Sequence, residues 1–142
     1  MKVSADPKCR MCGEADETVS HILTACKTLA ATQYLRRHNE VARAVHWGIC
    51  KAYDVEVSKS YWKHEPPDVV ETQSVKILWD FEIQTDHHIP ARRPDIVVRD
   101  KSRKKTTIID IAVPEDRNIQ QKEKEKIDKY QDLRLEVKRL WN

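Results

Sequence analysis

Glycine is scarce in this chain, since only Gly13 and Gly48 occur among its 142 residues. Neither glycine lies in a G-x-G-x-x-G or a G-x-x-x-x-G-K pattern. Loops that cradle phosphate need several glycines, because the backbone N–H groups must approach the ligand closely. The sequence therefore excludes the Rossmann and P-loop classes of nucleotide-binding protein.

Long apolar runs are also missing. No segment approaches the ~18 apolar residues that a membrane span needs, and no signal-peptide pattern precedes Cys9. The length suits one domain, or a small module joined to a modest domain. We therefore expect an intracellular protein without a membrane partner. In a reducing compartment, metal binding is the commoner use of clustered cysteines, ahead of disulfides.

The charge is unevenly divided, although the net value is only +3. Residues 91–142 carry 15 Lys or Arg and 10 Asp or Glu, whereas residues 1–90 carry 11 and 13. A basic C-terminal third favours a polyanionic partner such as nucleic acid. An ordinary solvated surface explains the same charges equally well, so composition alone leaves both interpretations open.

The first half of the chain contains a helical pattern. Apolar residues and one histidine recur at spacings of three and four, and predict an amphipathic helix over about 31–53: Leu35, His38, Ala42, Val45 and Ile49. The pair Pro66-Pro67 marks a break further on. We expect two units, with the cysteine-rich segment and the helix in residues 1–53 and a second unit in residues 54–142.

The second half changes to strand patterns and then back to a helix. Strands are predicted over 77–83, 95–99 and 106–113. A long final helix is expected to begin near Asp116 or Asn118, either of which suits an N-cap. The residues expected on one face of that helix are Ile127, Tyr130, Val137 and Trp141. The predicted fold class is α+β, with the order helix, three strands, helix.

A zinc-site pattern opens the chain, in the form Cys9-x2-Cys12-x8-His21-x4-Cys26. Two thiolates in a Cys-x2-Cys turn can share one Zn²⁺, and His21 with Cys26 can complete a tetrahedron. Gly13 would ease the tight turn after Cys12. Four protein ligands make such a site structural. Free, partly buried thiols are the alternative. We interpret Cys50 as a buried helix residue, and His38 and His46 as helix-packing residues.

Two carboxylates are expected on neighbouring strands. Asp95 follows Arg93-Pro94, and Asp110 follows after 14 intervening residues, in the apolar run Ile108-Ile-Asp-Ile-Ala-Val113. An unpaired carboxylate in that run would cost several kcal/mol, so a cation should compensate it. Paired carboxylates suit Mg²⁺, which can polarise a scissile phosphate. A turn at Pro-Asp and a structural role for Asp110 remain open at this point.

A lysine would complete such a site by offsetting charge in the transition state. The usual arrangement is Asp, then Asp/Glu-x-Lys, but Ala112 stands at the expected lysine position. The final helix offers Lys122, Lys126 and Lys129 on one face instead. Lysine and glutamate runs of this kind also form solvated helix faces.

Basic residues surround Asp95 and could hold the DNA backbone on either side of the scissile phosphate. They are Arg92, Arg93, Arg99, Lys101, Arg103, Lys104 and Lys105. The run 101–105 is also typical of a solvated hairpin turn.

Together these motifs resemble a known family. The cysteine pattern, followed by "ILWDFEIQTD", "ARRPDIVV", "IIDIAVPEDRNI" and "EKEKIDKYQDLRLEVKRLW", resembles the C-terminal region of non-LTR (LINE-type) retrotransposon polyproteins. More narrowly, it resembles those with a CCHC zinc knuckle followed by a restriction-like endonuclease of the PD-(D/E)xK superfamily. The resemblance covers nearly the whole chain and keeps the order of the motifs.

The resemblance implies a Mg²⁺- or Mn²⁺-dependent endodeoxyribonuclease that nicks a chromosomal target, whose freed 3′-hydroxyl primes reverse transcription. It implies a nuclear location and a reverse transcriptase domain in cis. Relatives continue into another apolar strand at the position of Trp141-Asn142, so we expect the endonuclease core in residues 54–142 to lack its last strand. By position, the metal ligands are the carboxylates of Asp95 and Asp110 and the backbone carbonyl of Ile111. Lys126 or Lys129 would be the displaced catalytic lysine, with Tyr130 as the adjoining motif tyrosine. Asp80 matches a family position without an assigned role.

A second hypothesis keeps the same fold without catalysis. Zinc knuckles commonly bind single-stranded nucleic acid through basic and aromatic groups. Arg10 is the only basic residue between the first two cysteines, so this knuckle could equally brace the fold. The alternative function is therefore a catalytically inactive retroelement fragment that binds nucleic acid, with DNA as the first partner and RNA as the second.

Overall fold

An antiparallel sheet with helices on both faces organises the chain. The computed structural model describes residues 6–113 and 118–141. The sheet has four strands in the order β1-β2-β3-β4: β1 Val69–Glu71, β2 Val75–Trp79, β3 Ile96–Asp100 and β4 Lys105–Ile109. The helices are α1 Lys27–Leu29, α2 Leu35–Ala52, α3 Ile119–Lys129 and α4 Gln131–Trp141. Shorter turns are π-helical at His21–Ala25 and Ala30–Tyr34, and 3₁₀ at Tyr61–Lys63.

The two central strands bury both of their faces, and alternate residues point to opposite sides. One face packs against α2 through a cluster of Cys50, Val75, Ile77, Ile96 and Val98. The other face packs against α4 through Leu78, Ile83, Val97, Tyr130, Leu133 and Val137. Burial on both sides explains why β2 and β3 are almost continuously apolar.

The α+β class is confirmed, but the predicted count of three strands is wrong. β1 pairs with β2 through Val70 opposite Ile77, and its three residues are too few to show a period. The strand predicted over 77–83 ends at Trp79, because Asp80 adopts a left-handed φ of 45°. The strand predicted over 106–113 ends at Ile109, so Asp110 follows β4.

The final helix is also interrupted, since Tyr130 leaves helical geometry with φ −102° and ψ 9° between α3 and α4. Neither proline nor glycine marks this break in the sequence. Asn118 lies at the N-cap of α3 but forms no side-chain capping bond, and Asp116 lies outside the described residues. Of the face predicted for this helix, Val137 is buried whereas Ile127 is exposed.

The predicted first helix is confirmed as α2, with a π-helical turn at Ala30–Tyr34 in place of its first turn. Among the helices within 6–113 and 118–141, none combines the length and apolar character needed to cross a membrane. The boundary between residues 53 and 54 stays a prediction.

Candidate functional site

The structure brings three cysteines and one histidine of the N-terminal segment together. The ligand atoms of Cys9, Cys12, His21 and Cys26 all lie within 4.8 Å of one another. The sulfurs of Cys9 and Cys26 are 4.0 Å apart, and the Cys12 sulfur is 3.3 Å from His21 Nε2. Tetrahedral zinc would separate two sulfurs by about 3.8 Å and sulfur from nitrogen by about 3.6 Å. This Cys₃His cluster, called the N-terminal cluster below, could therefore hold a metal such as zinc.

Local backbone geometry forms the turn between the first two cysteines. The Gly13 N–H donates to the Cys9 carbonyl at 2.7 Å, and Gly13 takes a φ of 70° that suits glycine. Glu17 braces the same turn, because its carboxylate accepts the Arg10 N–H at 2.8 Å and Nε at 2.9 Å. These bonds lower the pKa of Glu17 to about 2.

The electrostatics of the N-terminal cluster favour a thiolate. Backbone N–H groups of Glu14 and Ala15 lower the pKa of Cys12 to about 6, so that its sulfur is mainly ionised at neutral pH. Burial raises the pKa of Cys9. A bound cation would supply the charge that a second buried thiolate needs.

The second candidate site lies at one end of the sheet. Ile96 in β3 pairs with Ile109 in β4, so the residue before β3 and the residue after β4 become neighbours. These residues are Asp95 and Asp110. The predicted proximity of the two carboxylates is thus a consequence of strand register.

Asp95 is held by a helix as well as by the sheet. Its Oδ2 accepts the backbone N–H of Ile111 at 2.6 Å and lies 3.2 Å from His38 Nε2 on α2. Burial raises the pKa of Asp95, and the charge of Asp110 raises it further. Ile111 therefore contacts Asp95 through its N–H, whereas the resemblance assigns its carbonyl to a metal.

Both oxygens of Asp110 face groups from the C-terminal helices. Lys126 Nζ on α3 forms an ion pair with Oδ2, and the Tyr130 hydroxyl donates to Oδ1 at 3.0 Å. Burial acts to raise the pKa of Asp110, but the Lys126 and Tyr130 contacts outweigh it and the net pKa is lowered. Burial and the Asp110 charge raise the pKa of Tyr130.

The three lysines predicted on one helix face have different surroundings. Lys126 is the one paired with Asp110, whereas Lys129 Nζ lies 4.7 Å from the centre of the Tyr130 ring. Lys122 pairs with Glu125 at 3.0 Å. The structure therefore favours Lys126 over Lys129 as the lysine of this site.

Asp80 connects β2 with the segment that leads to Asp95. Its carboxylate accepts Nε and the terminal nitrogen of Arg93 at 2.8 and 3.0 Å. Its backbone N–H donates to the Asp95 carbonyl at 2.8 Å. The residue without a role in the sequence analysis thus positions the backbone of Asp95.

Some of the predicted DNA-binding residues form ion pairs with acidic side chains, and others do not. Arg92 pairs with Glu82 at 2.6 Å, and Lys101 pairs with Glu71 at 2.8 Å. Arg103 lies 3.9 Å from the Asp100 carboxylate. Lys104 and Lys105 form no ion pair with any residue that the structure describes. The hairpin between β3 and β4 is therefore both a turn and a source of unpaired positive charge.

A basic groove runs beside Asp110, between β4 and helices α3 and α4. Its volume is about 1220 Å³. Its cationic lining comprises Arg99, Lys104, Lys105, Lys122, Lys126, Arg134 and Lys138, and its acidic lining comprises Asp110 and Glu123. Three of these seven cations belong to the predicted DNA-binding set, namely Arg99, Lys104 and Lys105, and a fourth is Lys126, the lysine paired with Asp110. We call this surface the basic groove.

Sequence reasoning missed His38, which it interpreted as a packing residue. His38 lies 57 residues before Asp95, and only the docking of α2 against the sheet brings them together. The one sequence feature that could have indicated this role is the position of His38 on the predicted apolar stripe, because a histidine there faces the sheet.

Comparisons with protein-family models, with curated proteins and with solved structures find no match for this chain.

Proposed function

We propose that this chain is a metal-dependent DNA endonuclease module, with a PD-(D/E)xK-like core, that hydrolyses a phosphodiester. The observation that carries the proposal is the meeting of Asp95, Asp110 and Lys126 at one end of the sheet, beside the basic groove. Its biological setting, by the resemblance, is target nicking in retrotransposition with a reverse transcriptase domain in cis.

The donor set fits Mg²⁺ or Mn²⁺. Two half-buried carboxylates meet there, and burial, together with the charge of Asp110, raises the pKa of Asp95, a cost that a divalent cation would offset. Each carboxylate has about four lone-pair positions, so Asp110 can keep its bonds to Lys126 and Tyr130 while binding metal. When bound, the metal supplies Lewis-acid polarisation of the scissile phosphate.

The protein groups have distinct roles in this proposal. Asp95 and Asp110 hold the metal, and the Lys126 ammonium offsets charge that develops on the phosphate oxygens. Tyr130 orients Asp110, and His38 orients Asp95. Cations of the basic groove contact the DNA backbone and set the position of the duplex without reading its sequence. The N-terminal cluster braces the segment that leads into α2.

The test is nicking of supercoiled DNA by the full chain in Mg²⁺ or Mn²⁺. Asp95→Asn and Asp110→Asn keep side-chain size and should abolish nicking, while Asp132→Asn, at an exposed position of α4, serves as the matched control. Far-UV circular dichroism shows whether each variant is folded. Equal nicking by wild type and both variants would overturn the proposal, and so would a lack of nicking by folded wild type.

A second candidate is nucleic-acid binding without catalysis. It is favoured by the full pairing of the Asp110 oxygens with Lys126 and Tyr130, because a purely structural ion pair would make the same contacts. The basic groove would then bind DNA or RNA as a polyanion. Gel retardation without nicking, with affinity that falls steeply as salt rises, identifies this function.

A further inference from the structure

A second group of metal-ligating side chains lies in the core, away from both sites described above. His46 and Cys50 are one turn apart on α2, and His64 directly follows the 3₁₀ turn Tyr61–Lys63. Their ligand atoms lie within 4.8 Å of one another, and all three residues are buried. We call this group the core cluster.

The geometry of the core cluster approaches that of a metal site. Cys50 Sγ lies 3.6 Å from His46 Nδ1, and zinc ligands of these types at ~2.3 and ~2.1 Å from the ion are about 3.6 Å apart. His46 Nδ1 and His64 Nε2 are 2.7 Å apart, which is a hydrogen-bond distance. Without an ion, one proton bridges the two rings. Binding would require these nitrogens to separate by about 0.6 Å.

The protein surroundings keep both imidazoles available as ligands. Burial lowers the pKa of His46 to about 4 and also lowers that of His64, to which the Arg43 charge contributes. Neutral imidazoles carry the lone pair that a metal needs. His46 Nε2 is buried without a hydrogen-bond partner among the described residues.

We propose that His46, Cys50 and His64 form a second metal site, which binds a thiophilic closed-shell cation, Zn²⁺ or Cu⁺. One thiolate and two imidazoles form a ligand set that both ions accept. Cu⁺ is satisfied by three such ligands, whereas Zn²⁺ takes a fourth from water. Binding releases the Cys50 thiol proton, and the proton that bridges the two rings moves to the outward-facing nitrogen of its own imidazole, so that both ligand nitrogens present a lone pair.

The position of the core cluster indicates a structural consequence. His64 ends the segment that returns along α2 after Ala52, and the bond from Trp47 Nε1 to the Ser58 carbonyl at 2.8 Å is one of the contacts that hold this segment. The His46 ring packs edge-on against Trp79 of β2, with centroids 5.5 Å apart. An ion at the core cluster would cross-link α2 to this segment directly beside the sheet.

The experiment measures metal bound to the full chain, reduced and purified, by elemental analysis after addition of Zn²⁺ or, under anaerobic conditions, Cu⁺. Wild type should bind two equivalents of one of these ions. Cys12→Ser removes a ligand of the N-terminal cluster and leaves the core cluster intact, so this variant should keep one equivalent. Adding the same ion should raise the melting temperature of Cys12→Ser but not that of Cys12→Ser/Cys50→Ser.

The result that would overturn the proposal uses only wild type and Cys12→Ser, in both of which the core cluster is unaltered. Wild type would bind a single equivalent of each ion, Cys12→Ser would bind none, and neither ion would raise the melting temperature of Cys12→Ser. The ion that gives the second equivalent identifies which cation the site takes. Release of about one proton with that equivalent confirms the Cys50 thiolate as a ligand.

Discussion

Lys126 reaches from α3 to form an ion pair with Oδ2 of Asp110, the residue that directly follows β4. The pair joins the C-terminal helices to the edge of the sheet and lies in the wall of the basic groove. Both partners are largely protected from water, since their side chains are 30% and 11% exposed. A cation in such surroundings acts more strongly on nearby negative charge than it would in bulk water.

Lys126→Ala should reduce nicking strongly while Lys129→Ala does not. Loss of one preorganised electrostatic donor typically costs ~10²–10³-fold in rate, and Lys126 is the lysine that contacts Asp110. Initial rates of supercoiled DNA nicking at equal DNA occupancy measure the effect, with binding followed by gel retardation. Lys124→Ala is the matched control, because Lys124 is an exposed lysine of α3 that does not line the basic groove. Similar rates for the Lys126 and Lys129 variants would contradict the assignment.

Tyr130→Phe should destabilise the fold modestly and leave its packing in place. The ring stays in the α4-facing core, but the hydroxyl bond to Asp110 Oδ1 at 3.0 Å is lost. Hydrogen bonds to a charged group contribute about 1–3 kcal/mol to the free energy of unfolding. Urea unfolding followed by circular dichroism measures the change. Tyr61→Phe, on an exposed ring, is the control and should stay within ~0.5 kcal/mol of wild type.

His38→Ala should move the acid limb of the nicking–pH profile to higher pH. Burial and Asp110 raise the pKa of Asp95, whereas the charge of His38 lowers it. Nicking needs the Asp95 carboxylate, so the rate falls as pH drops through its pKa. Removing His38 raises that pKa further. Rates at subsaturating Mg²⁺ across the acid range test this expectation, with Val41→Ala, at an exposed and uncharged position of α2, as the control. An unmoved limb, or one displaced to lower pH, would contradict it.

Much of this architecture could be predicted from sequence because it depends on local spacing. The ligands of the N-terminal cluster lie within 18 residues, and short loops between them leave few arrangements. Asp95 and Asp110 could be predicted as neighbours because each borders a strand of the same hairpin. In both cases, the chain itself limits how far apart the residues can lie.

The remaining features depend on how the elements pack together, which a single sequence does not specify. Lys126 and Lys129 share a predicted helix face, and only the rotation of α3 about its axis decides which one reaches Asp110. His38 needs the docking of α2, and His64 needs the return of the segment after α2. No proline or glycine marks the break between α3 and α4 at Tyr130. The break coincides with burial of the Tyr130 side chain, which depends on tertiary packing.

Removal of metal from the N-terminal cluster should loosen residues 9–26 and leave the sheet intact. Without a cation, the four ligands lose the ion that links them, and the segment has few apolar contacts to keep it folded. The amides of Cys9, Gly13 and Cys26 should lose protection from hydrogen exchange on chelation. Those of Ile77 and Val98 in the central strands should keep theirs. Zn²⁺ should restore protection to wild type but not to His21→Ala.

Leu133→Ala should destabilise the protein far more than Leu135→Ala, although both lie on α4. Leu133 is 0% exposed in the core between α4 and the sheet, whereas Leu135 is 64% exposed. Truncation of a buried leucine costs ~2–5 kcal/mol, because it loses apolar burial and leaves a cavity. Truncation of an exposed leucine stays near ~0.5 kcal/mol. Urea unfolding of the two variants measures the difference.

The same pair of variants tests whether the docking of α4 supports the carboxylate site. Tyr130 immediately precedes α4 and packs with Leu133 in the hydrophobic core between α4 and the sheet. Under conditions where Leu133→Ala is folded, its nicking rate should therefore fall, because the Tyr130 hydroxyl no longer holds Asp110 firmly. Leu135→Ala should nick at the wild-type rate. A folded Leu133→Ala protein with unchanged nicking would show that the site is positioned by α3 and β4 alone.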